Sequence, residues 1–443
     1  TQEVEKVVKE TVEVEKEVTR VVEKEMPADQ ELITLEFHRR QGSLWEEELY
    51  ALRTKEYHDK YPNVKAQDKP VPGQMAEYYP KLLTMAAGGT LGDCFWNTTG
   101  TGGHFLFACK GVSMPLDDLA QEQGIVLGEQ YLENVLKLID YEGKLFGLPL
   151  LVHANGPYLY YNKTAIEEQA PEAAEALANM TEDWTYDDLI EAASKLTKRE
   201  GNRTTQFGFQ VYPPQHWQVA QQNLRAFGGE IVTDDGKESL LDKEVAQECF
   251  QWNWDVYHRH EVSATPEQMP EGARSLMASG KLMMHQSGCW NLYGLREVAE
   301  DFEPAISLMP KGPGGAVGST LVADTWNVNK NSENPREAFL LTTYFCNKES
   351  GVFLCERLGC GGARPDVFED ERVKSDPGLR VINSIIPETP PTIRAYNFRG
   401  NECGNVIRQH TDALWLGNKE VTAEFMSSLD TAVQEILDVP RDC

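Results

Sequence analysis

The stretch that most constrains the fold runs from Tyr141 to Lys163, Tyr-Glu-Gly-Lys-Leu-Phe-Gly-Leu-Pro-Leu-Leu-Val-His-Ala-Asn-Gly-Pro-Tyr-Leu-Tyr-Tyr-Asn-Lys. The polar turn Glu142-Gly143-Lys144 leads into an apolar run, and a second apolar run ends at Tyr160-Tyr161-Asn162-Lys163. Pro149 has no amide to give, so it bars a central ladder position. Turn residues bound each half. The segment predicts a strand that leaves one sheet and enters another, and so a chain shared between two sheets. Length agrees, because 443 residues exceed what a single core usually serves.

Charge narrows the partners. The net charge of −28 argues against nucleic acid, whose phosphates need clustered Lys and Arg. It favours neutral or cationic ligands over anions, although acidity that merely keeps an exported protein soluble explains it equally well. No run of 18 apolar residues is present, so no segment reads as membrane-spanning. No initiating Met and no export signal precede Thr1, which a processed signal would explain, as would a chain shortened for other reasons. Nine cysteines allow up to four disulfides and one free thiol in an oxidising compartment. Cys355 and Cys360 are the closest pair and could bridge at a helix end. Cys-x-x-Cys and zinc spacings are absent, so neither a structural metal nor a cofactor is expected.

Residues 1–28 stand apart. Val4, Val7, Thr11, Val14, Val18 and Val21 follow heptad spacing with Glu and Lys between them. Valine is a poor helix former, so a charged tether ending at Met26-Pro27 is favoured over a short coiled coil. Beyond it, Leu32–Phe37 reads as a strand, 44–61 as a helix, 64–71 as a strand, 78–87 as a helix and 91–97 as a strand with its exit loop. This order predicts a parallel, doubly wound sheet, with ligands at the carboxyl ends of its strands. Thr185 with Asp188 predicts a capped helix start.

Several phrases then occur in a recognisable order. They are Gly143-Lys-Leu-Phe-Gly-Leu-Pro149 with Tyr161-Asn-Lys163, Thr185-Tyr-Asp-Asp188 after Trp184, Gly280-Lys281…Met284…Gly288-Cys-Trp290, and Asn334-Pro-Arg-Glu-Ala338. Together they resemble bacterial extracellular solute-binding proteins of the maltose-binding-protein-like family 1, the sugar-binding subunits of ABC importers. The chain departs from that family in Gly92-Asp93, where Pro-Asp is common, and in its nine cysteines. The resemblance implies an α/β, two-lobed, type II periplasmic-binding-protein-like fold. Each lobe would be a doubly wound sheet with flanking helices, and the ligand cleft would lie between them. The expected division is 29–151 plus 320–362 for one lobe and 152–319 plus 363–443 for the other. It further implies capture of a sugar or oligosaccharide outside the cytoplasm by hinge closure, then delivery by a monomer to an ABC permease. The 1–28 segment would be the spacer of a lipid-anchored precursor, although no lipidated Cys precedes Thr1. A non-sugar solute such as a polyamine or peptide stays open.

A sugar cleft needs aromatic platforms and polar side chains. Trp96 before Asn97-Thr98, Trp217 after Tyr212 and Gln215, Trp290, and Trp326 beside Asn327 have polar neighbours and are candidate contacts, each with a core role as the alternative. His38, Arg39, Gln41 and Ser43 follow the first strand, and His153 and Asn155 lie in the crossover. Arg364 sits at the last crossing, as readily structural as ligand-facing. The resemblance adds Tyr396, Phe398 and Arg399, near where relatives place a C-terminal aromatic contact. An enzyme, such as a glycoside hydrolase, is the alternative from another class. Acidic pairs such as Asp234-Asp235 arise by chance among 70 carboxylates, and neither Gly-x-Ser-x-Gly nor a P-loop is present. A tethered interaction protein using the 1–28 segment is a third reading.

Overall fold

The computed structural model describes residues 31–443 apart from 43, 74, 101, 180–182 and 442. The segment 1–28 and Ser43 lie outside the described residues. The strands are β1 (Ile33–Arg40), β2 (Val64–Val71), β3 (Cys94–Thr98), β4 (Asp140–Tyr141), β5 (Lys144–Leu145), β6 (Leu148–Asn155), β7 (Tyr158–Asn162), β8 (Lys198–Glu200), β9 (Arg203–Gln210), β10 (Leu282–Ser287), β11 (Pro304–Leu308) and β12 (Thr320–Val328). They form a sheet of order β2-β1-β3-β12-β6, a second of order β11-β7-β10-β9-β8, and the β4–β5 hairpin. The fold is two-lobed, with helices flanking each sheet.

β1, β2 and β3 are parallel, joined through helices Leu44–Lys60 and Met75–Ala87, as the sequence predicts. The sheet is nevertheless mixed, because β12 runs antiparallel to both β3 and β6. The reason is connectivity. β6 carries the chain out of the first sheet and β12 brings it back, so the returning strand enters from the opposite end. β6 is the edge strand, and the register slips between Asp324 and Thr325, where Thr325 faces Pro149. That is where a residue without an amide is tolerated.

The exit from the first sheet is Gly156-Pro157. Gly156 has φ 74°, and a Cβ there would collide with the Gln222 side chain, so both conformation and space require glycine. β7 then reads Tyr-Leu-Tyr-Tyr because both its faces are covered. Tyr158 and Tyr160 belong to one core cluster, Leu159 and Tyr161 to the other. The Thr185 hydroxyl accepts from the Asp188 amide at 3.3 Å while the Asp188 carboxylate accepts from the Thr185 amide at 2.9 Å, the capping box expected there. Helix Pro335–Phe345 starts at its proline.

The disulfide expectation is corrected. Cys109 is bonded to Cys443, and the other seven cysteines are buried thiols, Cys355 and Cys360 among them. Gly359 caps helix Lys348–Leu358 in the left-handed conformation, and Cys360 beyond it contacts Cys289. Among the described residues no helix is long and apolar enough to cross a membrane.

Candidate functional site

The loop after β3, in the first sheet, meets the helix that follows β9, in the second, at a junction between the lobes. There the lobes touch: the Gln218 side-chain amide donates to the Gly100 carbonyl. A Cβ on Gly102 would sit 3.1 Å from the Phe398 carbonyl oxygen. A cavity of about 610 Å³ opens at the ends of β9 and β10, lined by Tyr212, Gln215, Arg274, His285, Trp290 and Asn291 among others. A larger cavity of about 970 Å³ is lined by the β8–β9 hairpin and Lys281, at the opposite, amino-terminal ends of β9 and β10.

Local sequence builds this wall. Gln210 ends β9, and Pro213-Pro214 stop the ladder, so Tyr212 to His216 form a loop leading into helix Trp217–Ala226. The Gln286 amide oxygen accepts from the Tyr212 amide at 3.1 Å, and its nitrogen donates to the Gly156 carbonyl at 3.0 Å, fixing the loop to the crossover. Trp290 stands half-buried at the start of helix Asn291–Val298. A Cβ on Gly288 would clash with its ring, and His153 meets it edge-on at 5.6 Å. Asn291 accepts from Arg274 at 2.8 Å and contacts His285 at 3.3 Å.

Nδ1 of His153, His216 and His285 and both amide atoms of Gln222 make no hydrogen bond of normal geometry, although Asn155, Gln218 and the Gln210 backbone stand beside the three imidazoles in turn. Asn97 and Gln222 are fully buried. Burial lowers the three histidines to about 4, so each is neutral at pH 7 and offers one donor and one acceptor. Hydroxyl groups, which both donate and accept, match such a set. Asp324, opposite Thr98 on β12, is raised to about 7 by burial. Burial likewise raises the Tyr212 phenol to about 12, leaving it a neutral hydroxyl.

The structure brings Tyr212, Gln215 and Trp290 to one cavity and sets His153 against Trp290. Gln41 is exposed just past β1, its amide donating to Val71 at 2.9 Å. The Thr98 hydroxyl donates to Ala323 and accepts from Gly100, shaping the loop where the lobes touch. Asn97 and Asn155 are buried beside it and in β6.

Other candidates make contacts within the protein, and His38, Arg39 and Trp96 lie in strands and not in the loops expected of them. β1 extends to Arg40, so His38 and Arg39 lie inside the sheet. His38 accepts from the Gly92 amide at 3.1 Å, and Arg39 pairs with Asp68 at 2.8 Å. Trp96 is in β3, not before a loop, and meets Tyr78 edge-on at 5.7 Å. Trp326 is fully buried among Phe37, Tyr50 and Phe345. Trp217 is buried and donates to the Ile393 carbonyl at 2.9 Å. Arg364 pairs with Asp366 at 2.8 Å and bonds Gln130 at 3.0 Å. Tyr396 stacks with Arg441, Phe398 is buried, and Arg399 pairs with Glu402 at 2.7 Å.

Sequence reasoning passed over His285, Asn291, Gln218, Gln222, Arg274 and Asp324. Only Gln222 left a local signal, the run Gln221-Gln222-Asn223 at mostly buried positions of its helix. Among the described residues no cluster of His, Cys, Asp and Glu could hold a metal.

The comparisons agree with this fold. The arabinooligosaccharide-binding protein of Halalkalibacterium halodurans is 23% identical over 307 residues, 64% of this chain and 65% of that protein. The ABC substrate-binding protein Lmo0181 of Listeria monocytogenes, solved in complex with cycloalternan, superposes with a TM-score of 0.74 at 16% identity, covering 91% of this chain and 99% of that one. The GacH receptor of Streptomyces glaucescens, solved unliganded and with acarbose, gives a TM-score of 0.74 at 19% identity, covering 92% and 100%. The family model described as bacterial extracellular solute-binding protein matches residues 54–381, most of the described chain, and the protein belongs to that family.

Proposed function

We propose that the protein captures an oligosaccharide outside the cytoplasm and delivers it to the permease of an ABC importer, without chemistry of its own. One observation carries the reading. The junction brings a half-buried tryptophan near half-buried neutral histidines and the buried Gln222 amide, several of whose polar atoms make no hydrogen bond of normal geometry. An indole covers the apolar face of a sugar, and neutral donor–acceptor groups satisfy its hydroxyls without the desolvation cost of a charge. Relatives described as binding arabinooligosaccharide, cycloalternan and acarbose support the same class. The family's place outside the cytoplasm supports the location, and a lipid anchor and a monomeric state complete the proposal.

The test is a thermal-shift panel of linear and cyclic oligosaccharides, with spermidine and short peptides as the other classes, followed by calorimetry on each hit. Saturable binding of an oligosaccharide at micromolar Kd or better is expected. Binding of spermidine or peptide alone would replace the solute class, and release of reducing ends from bound sugar would replace binding protein with hydrolase.

A further inference from the structure

We propose that the Cys109–Cys443 disulfide is a covalent strap between the two lobes that limits how far the cleft opens. Cys109 ends helix Gly103–Cys109, which follows β3, and Phe107 of that helix belongs to the first core cluster. Cys443 follows helix Ala423–Leu437, whose Leu429 and Val433 belong to the second cluster. The bond therefore adds a fourth covalent link to the three crossings of the chain, at 156–157, 309–319 and 359–364.

A noncovalent clasp lies beside it. Phe105 stacks on Phe398 at 6.0 Å, with the Arg394 guanidinium 3.9 Å from the Phe105 ring. Arg441 lies 4.4 Å from Tyr396 and 4.6 Å from Phe398, and its guanidinium donates to the Tyr396 carbonyl. Asn397 donates to the carbonyls of Ile436, Leu437 and Val439, which takes up slack in the tail before Cys443. Ring contacts part when lobes rotate, whereas a disulfide holds its Cα atoms within about 4.4–6.8 Å. Here they are 5.7 Å apart. The helix is about 10 Å long, so the strap lies roughly that far from the Gly100–Gln218 contact. Hinge rotation that parts the lobes at Gly100 must then pivot near Cys109 or peel the tail from Asn397.

The inference rests on the hinge-closing reading only in naming the cleft, and its test uses the free protein. Titration of thiols in denaturant without reductant should give seven, the number of free cysteines. Small-angle scattering of ligand-free Cys443→Ser and Cys109→Ser should give a radius of gyration about 1 Å above that of the oxidised protein, against roughly 22 Å for a compact chain of this length. If a variant fails to fold by circular dichroism, native protein reduced with dithiothreitol and then reoxidised replaces it. The expansion should appear on reduction and reverse. Nine thiols, or scattering unchanged on breaking the bond, would overturn the strap. Expansion in a protein that binds no oligosaccharide would keep the strap and reject the solute class.

Discussion

Helix Trp217–Ala226 holds the chain crossings together, and Arg225 in its last turn is the residue whose loss should show it. The Arg225 guanidinium pairs with Glu230 at 2.6 Å and donates to the Ser319 carbonyl, the Thr320 hydroxyl and the Pro390 carbonyl at 3.1 Å and the Pro391 carbonyl at 3.0 Å. One turn earlier, Gln221 accepts from Thr320, Thr392 and the Ile393 amide, while Gln222 lies against Gly156. The first and second crossings and the 390–393 segment therefore meet one helical face. The Arg225 side chain is 10% exposed and Glu230 is 27% exposed. Hydrogen bonds from a charged donor are each worth about 1.5–3 kcal/mol, but water reaches the outer ones and they are not additive. Removing one partner of a buried pair costs about 3–5 kcal/mol, which is the loss expected for Arg225→Ala. Arg225→Lys keeps the charge but not the planar fork, and should cost about half as much. Urea unfolding followed by tryptophan fluorescence reads both. A loss under about 1 kcal/mol in the alanine variant would refute the clamp.

Three further outcomes are expected. Trp290→Ala should weaken oligosaccharide binding by about 2–3 kcal/mol, roughly 30- to 150-fold in Kd, for about 100 Å² of ring face desolvated by the sugar; equal affinity by calorimetry, with lowered stability, would return Trp290 to the core. Acid should destabilise the fold between pH 6.5 and 4. His104, His153, His216 and His285 sit at about 4 when folded and near 6.5 unfolded, so unfolding takes up four protons near pH 5, while Asp324, raised to about 7, holds one that the unfolded chain releases. The net uptake is about three protons, and a melting temperature flat across that range would contradict the buried-neutral assignment. Cys443→Ser should lower stability to unfolding, because the bond closes a separation of 334 residues; loop entropy puts the ceiling near 6 kcal/mol, and no change in the denaturation midpoint would mean the bond is not formed.

The elements that local chemistry dictates were legible in the sequence. The Thr185 capping box, the parallel β1–β3 order and a change of sheet between Tyr141 and Lys163, which the structure puts at Gly156-Pro157, follow from local patterns. Candidate contacts were chosen by a weaker rule, that a tryptophan beside polar residues stands in a loop. It fails at Trp96 and Trp326 because their polar neighbours are themselves buried. Asn97 accepts from the Thr98 amide, and Asn327 donates to the Phe146 carbonyl. A polar residue in a strand signals a hydrogen-bonded interior as readily as a surface.

The same failure explains why His285, Gln222 and Asp324 were passed over. Their surroundings are assembled from separate segments: Arg274 and Asn291 beside His285, Gly156 against Gln222, and Thr98 with Arg40 near Asp324. No periodicity in one segment encodes a contact made by another, so a site at a chain crossing is the part of this fold least visible in one dimension. What the sequence does carry is where the crossing must lie. Among the described residues, proline at an edge ladder position, glycine at positive φ and a two-faced apolar strand occur together once, at 149–162. Gln222, which reaches that crossing from another segment and lies against Gly156, is buried there with neither amide atom in a hydrogen bond of normal geometry, an arrangement that only the folded crossing reveals.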